Sequence, residues 1–194
     1  MFALAALSVA ALNAQSISVG ILAGAPFTDV VNATTTNNVS FLPTSTNFTI
    51  GPALQINLPL SLRFEVDALY RPYSFSVNPA NGGAFPQANV SAGQWRFPFL
   101  AQYRFNAPVI KPFLEAGLSF DHLANISSAA KNITSGPGQL VQQSHAGVVL
   151  GGGVDLKIPF IRVSGELRYT HQGSADFRDI SKLNQAEFLL GVHF

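Results

Sequence analysis

Charge in this chain obeys the two-residue period of a β-strand, and that regularity decides most of what it can fold into. Alternation of apolar and polar residues marks strands at 16–27, 48–58, 61–73, 94–106, 110–122, 144–158, 161–172 and 184–194. Fifteen of the 21 Lys, Arg, Asp and Glu residues fall inside them. The third strand carries Arg63, Glu65, Asp67 and Arg71, the fourth Arg96 and Arg104, and the fifth Lys111, Glu115 and Asp121. The sixth has Asp155 and Lys157, the seventh Arg162, Glu166 and Arg168, and the eighth Glu187. Successive side chains of a strand point to opposite faces, so residues of one parity share a face. Within every strand all charges have one parity. Once each of the six charged strands has chosen a face, nine further residues agree with the choice. Chance does that about once in 500.

The other parity is apolar and aromatic: Leu62, Phe64, Val66, Ala68 and Tyr70 in the third strand, and Trp95, Phe97, Phe99, Ala101, Tyr103 and Phe105 in the fourth. Ile161, Val163, Leu167 and Tyr169 repeat the pattern in the seventh. An open sheet would expose this face to water, so the sheet must close. With the apolar face inside, the barrel would be a soluble, lipocalin-like ligand carrier. With it outside, the barrel sits in lipid and the charges line the lumen. Three observations favour the second. The rings are too many for the interior of eight strands, which side chains just fill. The charged face holds eight cations and seven anions, a balance that a closed interior of ion pairs requires. Small residues also stand opposite long ones: a turn at Pro159 and Phe160 sets Gly153 against Glu166 and Gly151 against Arg168. A three-residue first turn would likewise set Ala53 against Glu65 and Gly51 against Asp67.

Strand length and connection length agree. The strands run from 11 to 15 residues, against about five or six in globular proteins, and crossing a bilayer at a tilt takes about 9 to 11. Three links are tight and contain Pro59, Pro108 or Pro159. Four are long, at 28–47, 74–93, 123–143 and 173–183, rich in Asn, Thr, Ser, Gly and Ala. Strict alternation of short and long puts the tight turns at one end and the loops at the other. An even strand number returns both termini to the turn end. Outward Tyr70, Trp95, Phe120 and Tyr169 fall near the loop end, and Tyr103, Phe105, Phe160 and Phe194 near the turn end, which makes two aromatic girdles. Pro52, Pro98 and Pro112 lie inside strands, where each removes a ladder donor, so bulges or early strand ends are expected there.

Composition narrows function mainly by exclusion. Charged residues are 11% of the chain against about 25% in soluble proteins. The net charge of +1 gives no case for nucleic acid. Cysteine is absent, which removes disulfides, thiolate metal sites and thiol nucleophiles. The opening "FALAALSVAALNAQ" reads as an export signal over residues 1–14, cut after Ala14 and cropped at its start, with the barrel domain following over 15–194.

These features resemble the small eight-stranded bacterial outer-membrane barrels, the family of the OmpA transmembrane domain and OmpX-type proteins. The fold expected is an eight-stranded antiparallel up-and-down transmembrane β-barrel with a polar, plugged lumen. In that family a last strand of alternating apolar residues with a terminal phenylalanine is read by the barrel-assembly machinery. Phe188, Leu190, Val192 and Phe194 match it. The resemblance implies a monomer in the bacterial outer membrane with periplasmic termini, no cofactor, partners limited to lipid and the assembly machinery, and the four long links free to meet an extracellular ligand.

Candidate chemistry is thin. His122, His145 and His171 gather near the loop end, but parity turns His145 inward and the other two outward, so no metal site is expected. "THQGSADF" places His171, Ser174 and Asp176 where lipid A deacylases carry a His-x-Ser-Asn stretch, but with different spacing and no asparagine after the serine. These three are the weak catalytic candidates of an alternative, lipid-modifying reading. "GGG" at 151–153 precedes no helix and no lysine, so it serves lumen packing rather than phosphate binding. The six Asn-x-Ser/Thr sequons follow from loop composition. The expected plug pairs Glu65 with Arg63 or Arg96, and Glu166 with Arg168 or Lys157, with Glu115 nearby.

Overall fold

The computed structural model describes residues 17–28, 34–36, 39–44, 48–79, 88–124, 140, 143–174 and 181–194. The strands are β1 (Ile17–Pro26), β2 (Thr34–Thr36), β3 (Val39–Thr44), β4 (Thr49–Asn57), β5 (Leu62–Asp67) and β6 (Leu69–Pro79), followed by β7 (Ala88–Arg104), β8 (Ile110–Ala124), β9 (Ser144–Lys157), β10 (Arg162–Gln172) and β11 (Asn184–His193). All pairings are antiparallel and run β1-β11-β10-β9-β8-β7-β5-β4, with β4 pairing back onto β1. β5 and β6 are two halves of one stave, so the ring has eight staves and no free edge in its wall. No helix of the described residues is long and apolar enough to cross a membrane. Closure pairs each wall stave with a neighbour on both sides, which is the condition for standing in hydrocarbon.

The two faces separate as parity requires. Arg63, Glu65, Asp67, Arg71, Arg96, Glu115, Asp155, Glu166, Arg168 and Glu187 are buried inside. Phe97, Phe99, Leu114, Leu118, Phe120, Leu150, Leu167 and Leu190 are exposed outside. Trp95 and Tyr169 lie exposed near the loop end, with Trp95 5.2 Å from the Tyr70 ring, while Tyr103, Phe105, Phe160 and Phe194 are exposed near the turn end. The soluble orientation, with rings inside and charges in water, is therefore not the one adopted. Glycine lets the wall close over the charges. A β-carbon on Gly151 would fall on the Glu115 carboxylate, and one on Gly153 would stand 2.7 Å from the Phe113 ring.

Three expectations about the backbone need correction. The prolines cause no register shift: β7 keeps one register against β8 on both sides of Pro98, and β8 against β9 on both sides of Pro112. Pro98 stands beside Asp67, and Pro52 accepts from the Ala68 amide at 3.0 Å, so two prolines flank the one break in the wall, at Ala68 between β5 and β6. Each side of that stave loses a ladder bond at the same height, which interrupts the strand without a bulge. The first turn has the expected three residues but lies one residue further along the chain. Leu58 donates to Leu62 at 2.9 Å around Pro59, Leu60 and Ser61, with Leu60 and Ser61 at φ 62° and 63°. The pairing moves by two, so Ala53 faces Asp67 and Gln55 faces Glu65, with every side chain still on its expected face.

The third correction concerns the links. β6 and β7 continue their pairing to Val77 and Ala88, and β3 adds to β6 with β2 beyond it. Two of the long links, 28–47 and 74–93, thus contain sheet rather than loop. The extension inverts the lumen rule: Tyr73, Phe75, Val77, Val90 and Ala92 are buried and apolar. The export signal over 1–14 lies outside the described residues, as do Asp176, most of the 123–143 link and much of 173–183.

Candidate functional site in the closed lumen

The centre of the lumen is organised on one guanidinium. Arg168, on β10, meets Glu65 at 2.5 Å and Asp67 at 2.6 Å, both on β5, and Glu115 on β8 and Glu166 on its own strand at 3.0 Å each. β5 and β10 are four staves apart in a ring of eight, so this contact spans the full diameter. Four carboxylates around one arginine are short of donors, and neutral amides make up part of the deficit. Gln55 donates to Glu65, and Gln102 donates to Glu115 at 2.8 Å. Oxygens of Glu65, Glu115 and Glu166 lie within 4.8 Å of one another, held by Arg168. A planar fork with five donors is the side chain that can serve several carboxylates at once.

A second brace crosses the lumen nearby. Arg96 on β7 meets Glu187 on β11, again four staves away, at 2.5 Å, and Thr49 donates to the same carboxylate at 3.2 Å. Leu22, Ala53, Leu69 and Leu189 pack into a small apolar layer beside these braces. Nearer the loops, Arg71 donates to Gln185 at 3.1 Å and to the Thr28 carbonyl at 2.6 Å. Asp121 accepts from Gln94 at 3.2 Å, from Gln172 at 2.9 Å and from Ser119, with His145 3.7 Å away. Toward the turns Arg63 meets Asp155 at 2.7 Å, donates to Gln102 and lies 5.1 Å over the Phe113 ring. Arg162 donates to Gln55 and stands 3.9 Å from Asp155.

Glu65 is thus paired with Arg168, and neither Arg63 nor Arg96 is its partner; Glu166 is held by Arg168 rather than by Lys157. Arg104, Lys111 and Lys157 lie at the turn end, less buried than the rest. The glutamines Gln55, Gln94, Gln102, Gln172 and Gln185 are members of the network that a reading of charge alone passed over. Four of them share parity with the charges of their own strands, and that signal would have found them.

The other candidates do not converge. His145 is buried, while His122 and His171 are exposed, bonded at 2.7 Å to Ser144 and Asn184 respectively. Tyr169 donates to the same Asn184 oxygen at 2.9 Å, which fixes His171 in the outer girdle rather than against Ser174. Phe188, Leu190, Val192 and Phe194 share the outer face of the last stave, with Phe194 donating its amide to Val19 at 2.8 Å.

Comparison with known proteins places this architecture. The model of a family described as outer membrane protein beta-barrel domain matches residues 13–173. No curated protein matches the chain in sequence. Among solved structures the barrel is similar to Neisserial surface protein A, with a TM-score of 0.57 at 17% identity over 92% of this chain and 97% of that one. It is similar to outer membrane protein W of E. coli, with a TM-score of 0.54 at 16% identity over 91% and 96% of the two chains. OprG of Pseudomonas aeruginosa gives 0.53 at 11% identity over 93% and 95%. At these identities the likeness is one of fold.

Proposed function

Because the chain belongs to the outer membrane protein beta-barrel domain family, we propose that it is a sealed anchor that holds its four long links outside the cell, with both termini on the periplasmic side. The observation that carries this is the pair of full-diameter braces, Arg168 to Glu65 and Asp67, and Arg96 to Glu187. A solute crossing the lumen would have to part buried ion pairs in a medium of low dielectric, and parting one leaves uncompensated charges on both sides. The lumen so filled is a strut. What remains available for recognition is the loop end, where the uncharged link 74–93 rises on a paired sheet and the composition suits adhesion, surface recognition or envelope integrity. The final strand serves assembly through Phe188, Leu190, Val192 and Phe194, and the outer face then needs no partner beyond lipid.

Reconstitution into planar bilayers tests the seal. The expected result is no steady unit conductance from the native protein, and openings after Arg168 and Arg96 are both replaced by alanine. A large stable conductance from the native barrel would overturn the proposal.

A further inference from the structure

Charge in the lumen is segregated along the axis, and the turn end is in surplus. The carboxylates gather around Arg168, while the turn end opens into a cavity of about 360 Å³ whose charged side chains are Arg104, Lys111, Lys157, Arg162 and Asp155. Asp155 is already engaged by Arg63 at 2.7 Å. Among the described residues Arg104, Lys111 and Lys157 enter no ion pair. The Nε atoms of Arg104 and Arg162 are buried and donate no hydrogen bond. A buried donor without an acceptor is costly, more so on a charged group.

The ladder makes the same point independently. The other charges directly opposite on neighbouring strands have opposite sign: Arg96 with Asp121, Arg168 with Glu187 and, in this same cavity, Lys111 with Asp155. Lys157 and Arg162 also stand directly opposite, and both are positive. Like charges in that position destabilise a sheet. A compensating negative charge at the mouth would remove the repulsion and supply the missing acceptors together.

We propose that the turn-end cavity is a binding site for a phosphoryl group, held by Arg104, Lys111, Lys157 and Arg162. Two guanidinium forks suit the tetrahedral oxygens, and two ammonium groups add point charge. The cavity admits a phosphate with a small attached group. Such a group could come from a soluble phosphorylated compound or from a lipid headgroup reaching over the rim, where Phe160 is 94% exposed and Phe194 67%.

The experiment follows backbone amide shifts of Lys111, Lys157 and Arg162 by NMR in zwitterionic nanodiscs during titration with glycerol 1-phosphate. Ionic strength is held constant with chloride, and a second series replaces part of the lipid with phosphatidylglycerol. The expected result is saturable shifts at these positions, with affinity reduced at least tenfold in the double variant Lys157→Gln and Arg162→Gln and unchanged in Lys182→Gln. Saturation by the soluble compound and by the anionic lipid are both support, and which one acts identifies the source. Shifts that chloride reproduces, or that never saturate, overturn the site. A measurement on Lys157→Gln alone guards against misfolding of the double variant. It should melt higher than the native barrel in phosphate-free buffer and lose the phosphate-dependent rise in melting temperature. A lower melting temperature there would show that Lys157 is already compensated, and the proposal would fail.

Discussion

At the scale of single residues the barrel depends on Arg168. Its side chain is 1% exposed and carries four ion pairs to three strands, its own among them. Replacement by methionine keeps much of the volume and leaves Glu65, Asp67, Glu115 and Glu166 facing one another. Removing one partner of a buried ion pair costs about 3–5 kcal/mol, and urea unfolding in lipid vesicles should show a loss of at least that size for Arg168→Met. Arg168→Lys should recover only part of it, since an ammonium cannot serve carboxylates on opposite sides of the lumen. An Arg168→Met barrel as stable as the native one would mean the cluster is not what closes the lumen. Which residues enter this cluster could be read from parity; which partner each takes could not. Partner choice depends on the barrel diameter and on which staves end up opposite, and both follow from closure rather than from any one strand.

At the scale of elements the wall and its extension obey different rules. Within the wall, polar parity points in and apolar parity out. Past Arg71 the inward side chains are Tyr73, Phe75 and Val77, and those of β7 are Val90 and Ala92. A strand rising out of the bilayer no longer has lipid on its outer face, so the pattern loses its sign there while keeping its period. That is why 74–93 read as loop. The left-handed residues Leu60 and Ser61 carried no warning either, because neither is a glycine or an asparagine. The braces lie below the extension, so replacing residues 76–89 with an Asn-Gly turn should leave a folded barrel. Electrophoresis in SDS should still show the faster unboiled band; loss of that band would make the extension part of the folding unit.

At the scale of the whole molecule, lipid is the solvent of the outer face. Leu118 is 51% exposed near the middle of β8, between Phe99 and Val148. Arginine on a lipid-facing position at the midplane costs about 2–4 kcal/mol, and Leu118→Arg should lower folding stability in vesicles by that amount. The same change on the surface of a soluble protein would be nearly neutral. The closed eight-stave barrel, its short-turn end and its inside-out polarity were all legible, because each is a consequence of period two combined with closure. The cationic turn end was not, since a balanced total charge conceals where along the axis each sign accumulates.

The chain contains one tryptophan, Trp95, on the outer face of β7 beside Tyr70 in the loop-end girdle. Its fluorescence therefore reports directly on whether the apolar face meets lipid. In vesicles of brominated lipid, the account predicts strong quenching, stronger with bromine near the headgroup than near the chain ends, and weak quenching by aqueous acrylamide. Efficient acrylamide quenching with no effect of brominated lipid would contradict the orientation of the barrel and everything built on it.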